Sequence, residues 1–429
     1  MMPTSLSGDV LHRVEQLLRP ADLAAAEAFP GDDGTRQPVH TVYVPADRYR
    51  PGLAQAWGEQ AQDAVEHAGG VAALLAVTGI PEHLHEVIAA QVTGKLAREP
   101  IEDLRIDLED GYGDHGDDED QAAVAAAHGV RQDLEAGAGS PFVGIRFKSL
   151  ERGTRARGLR SLDLFLSALT ETGELPPGLV LTLPKVTAVE QVEAMVAVCN
   201  HLEDARGLTR GRLRFEVQVE TPQAILGADG TALVARMIHA GRGRVSGLHY
   251  GTYDYSASLG IAAAYQSMEH PAADHAKAVM QVAAAGTGVR LSDGSTNVLP
   301  VGGPDQVRAA WALHARLVRR SLERGYYQGW DMHPAQLPSR FAATYGFYRE
   351  GFTPAADRLR AYVDRAGSAV LDEPATAAAL AWFLKRGLDC GALGAAELHD
   401  RAGLGPADLT GLLRRPREEM AHASTVRQR

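Results

Sequence analysis

Between residues 39 and 366 the chain alternates short β-branched or aromatic runs with stretches of helical spacing. The runs are Val39–Val44, Leu104–Leu108, Pro141–Phe147, Leu179–Leu183, Leu213–Val219, Val245–Tyr250, Val289–Leu291 and Tyr326–Met332. Strands separated by helix-length connections pair in parallel, and a parallel sheet must bury both faces. Two architectures meet that demand, an open doubly wound sheet and a closed (β/α)8 TIM barrel. The number of runs favours the barrel, and no Gly-x-Gly-x-x-Gly turn follows the first run as a dinucleotide-binding sheet would want. The expected layout is a helical extension over residues 1–37 (Val10–Leu18 and Asp22–Ala28), a barrel over 38–366 and a small helical tail over 367–429.

Composition sets the class of partner. With 54 Asp and Glu against 43 Lys and Arg, the net charge of −11 disfavours nucleic acid and anionic membrane. Local Arg and Lys can still hold a small anion. Cys199 and Cys390 are far apart and form no metal or redox spacing. No apolar run approaches the roughly 20 residues that span a bilayer, and the first residues lack the order of a signal peptide. A cytoplasmic location is the expectation.

In a parallel barrel the residues at the C-terminal strand ends face the active site. Here those positions hold acids and cations: Asp107-Leu108-Glu109-Asp110-Gly111, then Arg146 and Lys148, then Lys185, Glu220, Asp254 and Asp331. Phe215–Glu220 and Leu248–Asp254 each close on a carboxylate, and one helical crossover separates them. Glu220 and Asp254 are therefore the expected metal ligands. Oxygen-only ligation selects Mg2+, with Mn2+ as the alternative, and leaves coordination positions for water and a substrate. Both acids could equally cap helices or form ion pairs. Arg146 is the expected clamp for a substrate carboxylate, because a guanidinium fork matches it in a bidentate way. A salt bridge to Glu109 or Asp110 would be compatible with that role. Lys148, Gly251 and Thr252 are the further candidates for substrate contact, and Glu109 and Asp110 for orienting water or moving a proton. Lys185 has three readings: ion-pair partner of the acids, second substrate contact, or Schiff-base amine. The first is favoured, since a Schiff base needs a desolvated amine and acids crowd this one. His249 and His333 are readable as bases, but more often such histidines are packed structural residues.

The order of motifs resembles the citrate lyase β-subunit-like group of the HpcH/HpaI aldolase superfamily. The matching pieces are Val42-Tyr43-Val44-Pro45, Asp107-Leu108-Glu109-Asp110-Gly111, Gly144-Ile145-Arg146 and Leu183-Pro184-Lys185-Val186. Val219-Glu220-Thr221-Pro222, Gly251-Thr252-Tyr253-Asp254 and Gly329-Trp330-Asp331-Met332-His333-Pro334 complete the series. This resemblance implies a TIM barrel, Mg2+ at Glu220 and Asp254, a carboxylate-binding Arg146, and a homo-oligomer, trimeric or hexameric. It also implies reversible carbon–carbon cleavage through an enolate of a 2-oxo acid or a coenzyme A thioester. The chain departs in a longer first crossover, a longer tail, a long segment over Tyr255–Asn297, and Lys148 where an Asn is usual. The expected activity is a Mg2+-dependent lyase of the aldolase type. The rivals are a phosphotransferase working on the pyruvate enolate or phosphoenolpyruvate, and a non-catalytic effector-binding barrel.

Overall fold

The computed structural model describes residues 5–171, 173–364 and 373–413. Eight parallel strands occupy the expected places: β1 (His40–Pro45), β2 (Asp103–Asp107), β3 (Phe142–Arg146), β4 (Leu181–Leu183), β5 (Phe215–Val219), β6 (Val245–Tyr250), β7 (Arg290–Ser292) and β8 (Gly329–Asp331). From β1 to β7 each strand pairs with the next in sequence, and β1 pairs with β8. The remaining gap closes through a parallel bridge between Ser292 and Gln328, with the Asp293 N–H 2.8 Å from the Gln328 carbonyl. The sheet is a closed barrel with no free edge.

Period-two alternation sorts the side chains. Val42, Val44, Leu104, Ile106, Ile145, Leu181, Val217 and Leu248 turn outward and are buried beneath the helices. The alternate positions fill the lumen, and here they are polar instead of the branched apolar residues usual in such barrels. Glu216 is the hub. Its carboxylate accepts from Thr182 Oγ1 at 2.6 Å and Arg105 Nη2 at 3.0 Å, and lies 3.0 Å from His249 Nε2. The Tyr43 hydroxyl reaches it at 3.2 Å. Burial opposes ionisation, but the charges of Arg105 and His249 outweigh it and hold Glu216 below the ordinary carboxylate range. Deeper in, Arg105 pairs with Asp103, Asp103 accepts from Thr41 at 2.8 Å, and Gln328 donates to Thr41 at 2.8 Å. His249 is thus a structural member of the lumen network.

The structure amends several elements. The extension is one helix, Gly8–Ala28, which runs through Pro20 and buries none of its residues. The first crossover carries three helices, Leu53–His67, Gly70–Val77 and His85–Arg98. β8 is three residues long where a run from Tyr326 to Met332 was expected. In the tail, helices Pro374–Asp389 and Ala395–Ala402 pack on the long helix Leu337–Val363 of the same chain. Phe383 lies 5.1 Å from Tyr348 ring to ring, and Arg349 pairs with Glu397 at 2.7 Å. Leu384 and Leu398 belong to the barrel's continuous core. The expected boundary at 366 and the terminal stretch from Arg415 lie outside the described residues.

Among the described residues no helix is long and apolar enough to cross a membrane.

Candidate active site

At the C-terminal mouth the backbone first places Glu220. It follows β5 directly, and the Gly251 N–H bonds the Val219 carbonyl at 2.9 Å, bringing the end of β6 alongside. A Cβ on Gly251 would lie 2.6 Å from Glu220 Cβ and 2.9 Å from Oε2. Only glycine lets the carboxylate through, so Gly251 shapes the acid's position. Lys185 then takes φ +52°, a left-handed conformation uncommon for a residue with a side chain. Its N–H meets Glu220 Oε1 at 2.7 Å. Glu220 is 1% exposed. Burial raises its pKa; Arg146 pulls it down, Asp254 and Glu109 push it up, and it settles at about 8.

Asp254 does not end a strand as expected. β6 stops at Tyr250, and Asp254 lies in the first turn of the short helix Thr252–Ser258, exposed to solvent. It remains close enough to oppose ionisation of Glu220.

Across the mouth, Asp107 organises the second half. One oxygen accepts from Arg146 Nε at 2.7 Å and from the Glu109 N–H at 3.0 Å; the other accepts from Arg146 Nη2 at 2.7 Å and the Gly111 N–H at 2.8 Å. The guanidinium fork of Arg146, expected to grip a substrate carboxylate, is therefore filled by the protein itself. What remains is Nη1, 3.4 Å from Gln218 Oε1 and 3.8 Å from Glu109 Oε2. The rings of Tyr43 and Trp330 flank the cation, with Cζ 4.7 and 5.6 Å from their centroids.

Lys185 Nζ lies 2.7 Å from Glu109 and 2.6 Å from Asp110. Burial works against its charge, but the two carboxylates raise its pKa well above the ordinary lysine value. A firmly held ammonium is the opposite of what a Schiff base requires, and the ion-pair reading holds. Burial raises Glu109, whereas the Lys185 hydrogen bond overcomes burial at Asp110 and lowers it.

Other candidates sit elsewhere. Lys148 turns away from the mouth: its Nζ donates to the carbonyls of Leu108 at 2.9 Å and Gly113 at 2.6 Å and pairs with buried Glu119 at 2.9 Å. It is a strut under the loop after β2. Thr252 is 1% exposed, and its hydroxyl accepts the Ser295 N–H at 3.3 Å. Asp331 faces the helix layer, held by His40 at 2.8 Å, His314 at 3.1 Å and Arg340 at 2.8 Å. Burial resists its ionisation, yet Arg340 and the two histidines hold it well below the usual carboxylate range. His333 Nδ1 accepts the Ala335 N–H at 3.1 Å and caps its own turn. Asp107 stands among the strand-end acids, and Tyr43 and Trp330 within the motifs, without an assigned role, and Gln218 was not singled out in the sequence. Stepping back two residues from Glu220 would have found Gln218.

Among the described residues no group of three or more His, Cys, Asp or Glu is arranged to hold a metal ion. The donor set is two carboxylates, one deeply buried and short of positive partners, which fits a hard cation that keeps most of its water. It does not fit a closed zinc site.

Residues 18–416 match the family model described as Domain of unknown function (DUF6986). The chain belongs to this family. No curated protein matches it. A citrate lyase from Burkholderia xenovorans has a similar structure, with TM-score 0.56 and 20% identity over 83% of this chain and 93% of that one. It shares the barrel fold, as the motif order suggested. Also similar are the Mycobacterium tuberculosis citrate lyase beta subunit with oxaloacetate and magnesium (TM-score 0.42, 16% identity, 72% of this chain and 98% of that one) and the Haloferax volcanii malate synthase magnesium/glyoxylate complex (0.46, 14%, 88% and 97%).

Proposed function

We propose that this DUF6986 protein is a Mg2+-dependent carbon–carbon lyase of the aldolase type, acting on a small 2-oxo acid through its enolate. The observation that carries this reading is the mouth itself. A buried carboxylate, Glu220, sits beside Asp254 and Glu109 with one hydrogen bond from Lys185 and no ion pair within reach among the described residues. Like charges held together in this way call for a cation. Glu220 and Asp254 would hold Mg2+, which when bound supplies a Lewis acid for negative charge on a carbonyl oxygen.

The chain's own groups do the rest. Arg146 is fixed by Asp107, so only Nη1 is left to orient a substrate carboxylate, as a single directed donor beside Gln218. Glu109, raised by burial, is the group suited to take and return the proton on the carbon next to the carbonyl. Lys185 keeps Glu109 and Asp110 in place and offsets their charge. Tyr43 and Trp330 wall the site and exclude water.

The test is proton exchange at the pyruvate methyl group in D2O, followed by NMR with Mg2+ and then with EDTA. Exchange that needs the metal and is lost in Glu220→Ala supports the reading. Exchange that persists in EDTA, or none under any condition, overturns it for pyruvate.

A further inference from the structure

The proposed chemistry uses Trp330 only as a wall, yet its surroundings ask for more. Trp330 is the central residue of β8 and faces the lumen, its ring 4.6 Å from that of Tyr43 and against the Arg146 guanidinium. The residue is half-buried, while its indole N–H is shut off from solvent with no hydrogen-bond partner. The adjacent segment shows the same feature. Ser295, just beyond β7 and 1% exposed, has a buried hydroxyl that is also without a partner. Two hydrogen bonds stitch these segments together: the backbone N–H of Trp330 to the Gly294 carbonyl at 3.2 Å, and Gln336 Nε2 to the Thr296 carbonyl at 3.1 Å. Ser295 in turn bonds Thr252, the residue after Gly251, which packs on Glu220.

Two orphaned polar groups therefore lie on neighbouring segments, one just beyond β7 and one on β8. Buried donors in native proteins are nearly always paired, and one left over beside a reactive mouth calls for an explanation, which a bound oxygen supplies. A donor beside a guanidinium of which only Nη1 is spare favours an anionic oxygen, since both would point positive charge at it. The half-exposed indole can turn about its outer torsion, which is broad for aromatic rings, to admit that oxygen.

We propose that Trp330 is a substrate-contacting, specificity-determining residue whose indole N–H donates to a carboxylate oxygen of the 2-oxo acid beside Arg146 Nη1. This rests on the lyase reading above and gives a role to a motif residue that had none. With the fork of Arg146 taken by Asp107, the carboxylate is held by one donor from each of two residues.

The experiment compares wild type with Trp330→Phe, which keeps a ring and removes the N–H. Pyruvate binding is measured by calorimetry in the presence of Mg2+, and tryptophan emission is followed in the same titration. Losing one hydrogen bond to a charged group should weaken binding roughly 10- to 100-fold, with Mg2+ affinity unchanged. Wild-type emission should change on binding, and the change should vanish in the variant. Equal pyruvate affinity in the two proteins would overturn the contact, as would binding to wild type with no change in its emission, which needs no variant at all. If wild type binds no pyruvate, the lyase reading itself fails for this ligand and the contact with it.

Discussion

Replacing Glu220 by glutamine separates the cost of burying a carboxylate from its use. The folded protein holds this carboxyl at about 8 against an ordinary 4.5. Below about pH 4.5 both folded and unfolded chains carry the proton, and the group does not bias folding. Above it the unfolded chain releases the proton while the folded chain keeps it, so stability carried by protonated Glu220 is lost as the pH climbs toward about 8. Each pH unit in that window costs about 1.4 kcal/mol. By pH 7 the deficit reaches about 3 kcal/mol relative to a side chain that does not titrate. Glutamine is such a side chain, and its amide oxygen still accepts the Lys185 N–H. In EDTA, Glu220→Gln should match wild type near pH 5 and exceed it by about 3 kcal/mol at pH 7. With an unfolding entropy of roughly 2.1 cal/mol/K per residue, that is a rise of about 3 to 4 °C in Tm for a chain of this length. Adding Mg2+ should stabilise wild type and leave the variant unmoved. Thermal scans across pH 5 to 8.5, in EDTA and then in Mg2+, give both numbers. A variant no more stable than wild type at pH 7, or one that gains equally from Mg2+, would refute the reasoning.

Three further outcomes follow from the same geometry. Asp107→Ala strands the buried guanidinium of Arg146 and leaves four donors, two of Arg146 and the N–H groups of Glu109 and Gly111, without their acceptor, so chemical denaturation should show a loss of about 3 to 5 kcal/mol. Gly251→Ala forces a methyl into the Glu220 side chain; calorimetry should find Mg2+ binding lost while the circular dichroism of the barrel persists. Lys185→Met removes the cation from Glu109 and Asp110, so the acid limb of the pH–rate profile should move to higher pH, as read from kcat/KM against pH.

The barrel was legible because its signal is local. Short β-branched runs, each closed by Pro or a polar turn, need no long-range information, and even the short run Val289–Leu291 fell in the right place, at β7. Glu220 was legible for the same reason, as an acid one residue past an apolar strand. The errors come from phase and from reach. With β8 read as Tyr326–Met332 there was no way to fix which alternate residue enters the lumen; the three-residue strand turns Trp330 inward and Asp331 out to His40, His314 and Arg340. Lys148 is long enough to serve either the mouth or the loop above it, and the carbonyls of Leu108 and Gly113 decide for the loop.

Sequence alone therefore determined the architecture and the chemical character of the mouth, since periodicity and strand-end residues are properties of neighbours along the chain. Tertiary structure decided the roles. Asp107 fills the fork of Arg146, Lys185 bends its backbone to reach Glu220 and its ammonium to reach Glu109, and the polar lumen couples residues from strands far apart in sequence. Those choices depend on which charges face one another across a closed barrel, and closure is what brings them within hydrogen-bonding distance.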